Sequence, residues 1–275
     1  MRAMPTNWAM KVADKKTKSF LQRLQQNAKD TRDILTAAES PSPDEKVEGT
    51  IVYAIVHSNL PPTEKTPGRI YQEVATVSAA GFETTASAMR LILYHVYSNA
   101  EILQRLRQEL TSISTQPSEL ILKELEELPY LTAVLKEGMR LSPAVASRAA
   151  RITDKDLFYK GWRIPARSPV GMTTLLMHTN EKLYPEPMRF IPDRWMESSS
   201  RKASSYGFAP FSRGTRICLG MHLAWAEMCM LLATLVQNFN FTIKNATASD
   251  FEFERDDMGI GTKAGHNLMV HVAVN

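Results

Sequence analysis

The sequence predicts a mainly α-helical protein with a small β part, and three patterns predict it. Apolar residues recur at helical spacing through most of the first half. Between Arg148 and Thr174 the pattern changes to short segments broken by Gly161, Pro165 and Pro169, as in a small sheet. Two alternating segments, Phe239 to Lys244 and Asn267 to Val274, close the chain and read as antiparallel strands. With 275 residues, 44% of them hydrophobic and 23% charged, the chain can bury one sizeable core or at most two small ones. That balance excludes a disordered, collagen-like or coiled-coil protein.

The first helix spans Lys16 to Ala38, with Phe20, Leu21, Leu24 and Ala28 on one face. A polar link follows from Ser40 to Lys46. After Leu60-Pro61-Pro62, Thr66 suits a helix cap and Pro67 a first helical position, where no backbone N–H is needed. That helix extends to about Tyr97. Three more are expected at Ala100 to Ile113, Glu119 to Glu127 and Tyr130 to Leu141, with Asn99 capping the first. A loop-rich stretch holds Pro185, Pro187 and Pro192, and a last apolar helix runs from Leu219 to Asn238.

Charge narrows the function classes little. Lysine and arginine number 33 against 29 acidic residues, a net +4 that fits an acidic protein partner or an anionic surface but is no nucleic-acid signature. The two cysteines, Cys218 and Cys229, form no disulfide framework and point to a reducing compartment. The N-terminus has no apolar leader, and Met228 to Val236 is far short of the roughly 20 residues a membrane helix needs. The expectation is a soluble or peripherally attached chain. Six scattered histidines without H-E-x-x-H make a zinc site improbable, and Gly259-Ile260-Gly261 precedes no helix, so it is no dinucleotide fingerprint.

Three clusters carry chemistry. In Phe211-Ser212-Arg213-Gly214-Thr215-Arg216-Ile217-Cys218-Leu219-Gly220, Gly214 and Gly220 bracket the cysteine and free the backbone to turn. The positive end of the next helix and Arg216 favour a thiolate, and Phe211 offers an aromatic wall; such a cradle suits a metal-bound sulfur. Cys229, on the apolar helix without glycines, reads as core. In Ala80-Gly81-Phe82-Glu83-Thr84-Thr85, a glycine and paired threonines interrupt a long helix, either to open a turn or to admit a close helix crossing. Glu137 and Arg140 lie three apart on one helical face, a spacing that alone would more often mark a solvated surface pair.

Together these segments resemble the cytochrome P450 family of haem-thiolate monooxygenases. Phe211, Gly214, Arg216, Cys218 and Gly220 fit its F-x-x-G-x-R-x-C-x-G loop; Ala80 to Thr85 fits [AG]-G-x-[DE]-T-[TS]; Glu137 and Arg140 fit E-x-x-R; Phe190 to Trp195 fits F-x-P-[DE]-R-[FW]. The resemblance implies that Cys218 is the axial ligand of a haem iron. It implies that Arg216 meets one haem propionate and Arg151, with Arg148 as competitor, the other. Gly81 would leave room for O2, Thr84 would hydrogen-bond the bound oxygen, and Glu83 would relay protons. Glu137, Arg140 and Arg194 would form a buried charge network behind the haem. Ala144, Val145, Ala146 and a turn at Gly259 to Thr262 would line the substrate pocket.

By the same resemblance, electrons come from an NADPH-dependent flavoprotein reductase, whose acidic docking surface would suit the basic balance here, and the substrate is a small apolar molecule. The Leu60 to Pro67 linker and Pro192 to Trp195 resemble microsomal-type enzymes of fungal secondary metabolism, which act at the cytosolic face of the endoplasmic reticulum. The matched segments correspond to the C-terminal half of that fold. The expectation is therefore a single, N-terminally truncated domain over residues 1–275, intracellular and without the membrane anchor. The alternative is a non-enzymatic remnant that binds haem weakly or not at all.

Overall fold

The computed structural model describes residues 14–113, 120–142, 145, 147–196, 207–257, 259–262 and 268–275. The chain divides into two compact units, Met1–Phe82 and Glu83–Asn275.

The first unit holds α1 (Lys15–Ala38), α2 (Glu45–Glu48), α3 (Ile51–Val56) and the beginning of α4 (Pro67–Ser98). The expected polar link ends early, because Asp44 accepts from the Lys46 N–H at 2.9 Å and starts a helix at Glu45. Thr50 caps α3 by accepting from Tyr53 N–H at 3.2 Å. Leu35, Val52 and Ile70 form this unit's core. Thr66 is extended (φ −66°, ψ 148°), its carbonyl takes the Ile70 N–H, and Pro67 opens α4 as the sequence predicts.

The second unit continues α4 and adds α5 (Ala100–Thr111), α6 (Leu122–Glu127), α7 (Pro129–Leu141), β1 (Leu157–Tyr159), β2 (Trp162–Ile164), α8 (Thr174–His178), α9 (Met221–Asn238), β3 (Phe239–Lys244), β4 (Arg255–Asp257), β5 (Gly259–Gly261) and β6 (Met269–Val274). Asn99 caps α5 as expected, accepting from Glu101 and Ile102 N–H. The helix expected from Glu119 begins only at Leu122, since Ile121 is extended (φ −109°, ψ 126°). The core is helix on helix: Ile92 and Val96 of α4, Leu106 and Leu110 of α5, Leu131 and Leu135 of α7, and Met228, Leu232 and Val236 of α9. Cys229 is fully buried among them, and burial pushes its thiol up to about 12, so it is a core thiol.

Two close approaches place α7. At Gly138 an added Cβ would stand 2.1 Å from Cγ1 of Ile92, so the Ile92 side chain of α4 packs directly on the α7 backbone there. At its start, α7 has no cap of its own; the Glu109 carboxylate of α5 accepts from Tyr130 N–H at 2.8 Å and Leu131 N–H at 2.7 Å. Among the described residues the sheets are three antiparallel pairs. β1 and β2 turn at Lys160 (φ 49°) and Gly161 (φ 82°), both left-handed as a two-residue hairpin requires. β3 pairs with β6 from Phe239 opposite Val274 to Lys244 opposite Met269, as their alternation predicts. The turn expected at Gly259 to Thr262 is instead mostly strand, because β5 pairs with β4 (Arg255 opposite Gly261). No helix among the described residues is long and apolar enough to cross a membrane.

Candidate functional site

The site is built from α7 outward. Glu137 and Arg140 are both fully buried, three apart on one face of α7. Glu137 Oε1 accepts from Arg140 Nη2 (2.8 Å), Arg194 Nε (3.0 Å) and the Ile191 N–H (2.9 Å). Its Oε2 accepts from Arg140 Nε (2.9 Å) and Trp195 Nε1 (2.9 Å). The Glu–Arg contact is thus bidentate and the carboxylate is saturated. Arg140 Nη1 donates to the carbonyls of His178 (2.8 Å) and Pro187 (2.6 Å), and Nη2 also to that of Arg189 (3.1 Å). Arg194 donates to the carbonyls of Pro185 (2.9 Å) and Glu186 (3.4 Å). Arg105 of α5 pairs with Asp193 at 2.6 Å and lies 3.9 Å over the Tyr130 ring, bracing the same loop from outside.

His178 joins this network to the cysteine loop. Its Nδ1 lies 3.1 Å from the Arg140 carbonyl, and its Nε2 accepts the Ala209 N–H at 3.0 Å. An amide can only donate and a carbonyl only accept, so the ring is neutral and protonated at Nδ1. Burial pushes its pKa down to about 4, against a smaller upward effect of the bond to the Arg140 carbonyl. Phe208 stacks on it (centroids 5.4 Å, 23°) and packs against Trp195. A second such ring, His95 of α4, is also lowered to about 4 by burial, opposed by Glu137; it stacks at 4.5 Å on Phe190, next to Ile191.

From Ala209 the chain winds to the thiol. Ser212 N–H bonds the Ala209 carbonyl at 3.0 Å, Ile217 N–H that of Gly214 at 3.1 Å, and Cys218 N–H that of Phe211 at 2.9 Å. The winding needs left-handed backbone at Ser212 (φ 62°) and Gly214 (φ 74°). Gly220, by contrast, caps α9 at φ −87°, which any residue adopts. Phe211 is half-buried against the helical core rather than standing free as a wall. Cys218 is exposed, just before α9, beside an open hollow of about 620 Å³ lined by residues 215–219, Met221 and His222. Arg216 is exposed at that hollow. Arg151, bridged to Val170, donates from Nη2 to Ser212 Oγ at 3.3 Å, whereas Arg148 lies with its stem against Gly171.

The glycine segment differs from the opened turn expected of it. α4 is continuous α-helix through residues 81–85, and nothing lies within 4 Å of where a Cβ of Gly81 would stand. A glycine costs only about 1 kcal/mol in a helix, and this helix is anchored on both sides by buried Ile70 and Ile92. Glu83 is exposed and Thr84 half-buried. Val145 is exposed at 48%, and Ala144 and Ala146 lie outside the described residues. Sequence reasoning missed His178, His95 and Glu109. A lone histidine in Met177-His178-Thr179 carries no pattern signal, and a carboxylate that caps a different helix carries none either.

The sequence model of the cytochrome P450 family matches residues 4–269. The chain is 40% identical over 205 residues to a tryptophan 6-hydroxylase of Fusarium equiseti, covering 74% of this chain and 40% of that protein. It is 38% identical over 221 residues to an N-acetyltryptophan 6-hydroxylase of Emericella nidulans, covering 78% and 43%. The chain spans about two fifths of the length of these relatives. Among solved structures, the retinoic acid-bound cyanobacterial CYP120A1 superposes with a TM-score of 0.72 at 23% identity, over 94% of this chain and 57% of that one. That likeness carries the fold.

Proposed function

As the chain belongs to the cytochrome P450 family, we propose that it works as a haem-thiolate monooxygenase of fungal secondary metabolism, with Cys218 as the axial thiolate. One observation carries the reading: of the two thiols, Cys229 is sealed in the core while Cys218 is exposed beside the hollow. The hollow suits a haem, since Ile217, Leu219 and Met221 offer apolar surface to a macrocycle and Arg216 a cation to its carboxylates. When bound, a thiolate-ligated haem supplies the activation of O2.

The chain's own residues do the rest. Phe211 and the Cys218 N–H bond hold the sulfur's loop closed, and the saturated Glu137 network fixes the loop's base. Arg216 and Arg151 are the cations for the two propionates, Arg151 being the one already held beside the loop through Ser212. Thr84 would hold and pass a proton through its hydroxyl, and Glu83, which is exposed, would recharge it from solvent. Two electrons from an NADPH-dependent reductase and two protons reduce one oxygen atom of O2 to water, and the other enters an organic substrate. That two relatives are named as tryptophan and N-acetyltryptophan hydroxylases supports screening indole amino acids first.

The test is the ferrous–carbon monoxide spectrum of the purified chain supplied with haem. A strongly red-shifted Soret band that survives Cys229→Ala and disappears in Cys218→Ala is expected. A folded chain without that band, or the reverse pattern in the variants, overturns the reading.

A further inference from the structure

Hydrogen bonds linked by short stretches of backbone connect the buried charge network to the Cys218 amide, and they pass through a residue that none of the family motifs contains. The Arg140 carbonyl accepts from His178 Nδ1–H, and His178 Nε2 accepts the Ala209 N–H. The Ala209 carbonyl accepts the Ser212 N–H, and the neighbouring Phe211 carbonyl accepts the Cys218 N–H. Arg140 closes the circuit by donating Nη1–H to the carbonyl of His178 itself. Arg140 therefore holds His178 at two points, the ring through its own carbonyl and the backbone through its guanidinium, which fixes the residue against α7.

We propose that His178 is the positioning residue that sets the cysteine loop relative to α7, acting as a neutral Nδ1–H ring that presents Nε2 to the Ala209 amide. This rests on the reading of Cys218 as the haem ligand. The ring's shape is suited to the task. Imidazole carries a donor and an acceptor at two points on the edge of one rigid ring, so one side chain spans two backbone groups at fixed separation. Phe208 stacked on one face and Tyr184 edge-on at 6.5 Å keep that plane from turning. A Cβ at Gly207 would stand 2.8 Å from Leu183 Cδ1, so the segment leading to Ala209 runs close past the loop that follows His178.

Two side chains split the ring's functions. The amide of glutamine reaches the Nε2 position and can still accept the Ala209 N–H, whereas that of asparagine reaches only the Nδ1 position and serves the Arg140 carbonyl. Hydrogen exchange at the Ala209 amide in the unliganded full chain reads this directly. His178→Gln is expected to keep wild-type protection, and His178→Asn to exchange about tenfold faster or more, the change a lost ordinary hydrogen bond gives. Nitrogen chemical shifts of the wild-type ring are expected to report Nδ1–H; an Nε2–H tautomer overturns the proposal without any variant. In the haem-loaded chain, the thiolate band is expected to follow the amide, retained in Gln and lost in Asn. If His178→Phe, which keeps the stacking alone, retains both Ala209 protection and the band, the ring only fills space and the proposal fails. Should wild type itself give no thiolate band, the haem reading fails while exchange and tautomer still decide the role of His178.

Discussion

Replacing Glu137 by glutamine keeps the shape of the side chain and removes its charge. The carboxylate receives three donors at Oε1 and two at Oε2. An amide has one acceptor oxygen and turns N–H toward the other set. With oxygen at the Oε1 position, Arg140 Nε and Trp195 Nε1 meet another donor; with oxygen at Oε2, Arg140 Nη2, Arg194 Nε and Ile191 N–H do. The gentler orientation still strands an arginine donor and an indole donor in a site with no water access. It also leaves the buried Arg140 guanidinium and the partly buried Arg194 one without a counter-charge. Breaking such a pair from one side costs about 3–5 kcal/mol, and that is the expected loss in urea unfolding of Glu137→Gln. Trp195→Phe removes only one of the five donors and should cost about 1 kcal/mol through the hydrogen bond. Equal losses in the two variants, or a Glu137→Gln loss under about 1 kcal/mol, would refute the argument that the carboxylate's charge organises the site.

Gly138→Ala drives a methyl into Ile92 and should destabilise by about 1–3 kcal/mol despite alanine's better helix propensity; adding Ile92→Ala should recover part of that, read as a non-additive double-mutant cycle. Below pH 6.5 the unfolded chain protonates a histidine that the folded chain keeps neutral to about pH 4, so His178 makes stability fall between those values as acid is added. The slope is about 1.4 kcal/mol per pH unit for a fully shifted group, His95 adds in the same sense, and urea midpoints against pH should be flatter in His178→Phe. Glu109→Ala uncaps α7 and should cost about 1–2 kcal/mol, measured by denaturation; no loss would mean that water replaces the carboxylate.

The helices were legible because their signals are local. Pro67 after Thr66, Asn99 before α5 and the alternation of β3 and β6 each act within a few residues, and each appears where the sequence predicts it. The Glu137–Arg140 spacing was legible too, but its burial only through the family resemblance, because that burial depends on Arg194 and Trp195 more than fifty residues away. His178 lay beyond reach for the same reason: its partners, Arg140 and Ala209, sit far along the chain on either side. At Gly81 the sequence overstated the effect, since a single glycine and two threonines are too weak to open a helix held at both sides by buried isoleucines.

The segment from His178 to Arg194 has little regular structure, yet carbonyls of His178, Pro185, Glu186, Pro187 and Arg189 all point at two guanidinium groups. In effect it is a coordination shell, with an organic cation where a calcium loop would have its ion. A shell of that kind cannot be half-formed, because each oxygen loses its reason to turn inward when the cation goes. Sequence change in this meander should therefore be tolerated at exposed side chains such as those of Glu186 and Arg189, whose carbonyls alone serve the two cations. It should not be tolerated where Arg140 or Arg194 is shortened, however far those residues lie from the thiol.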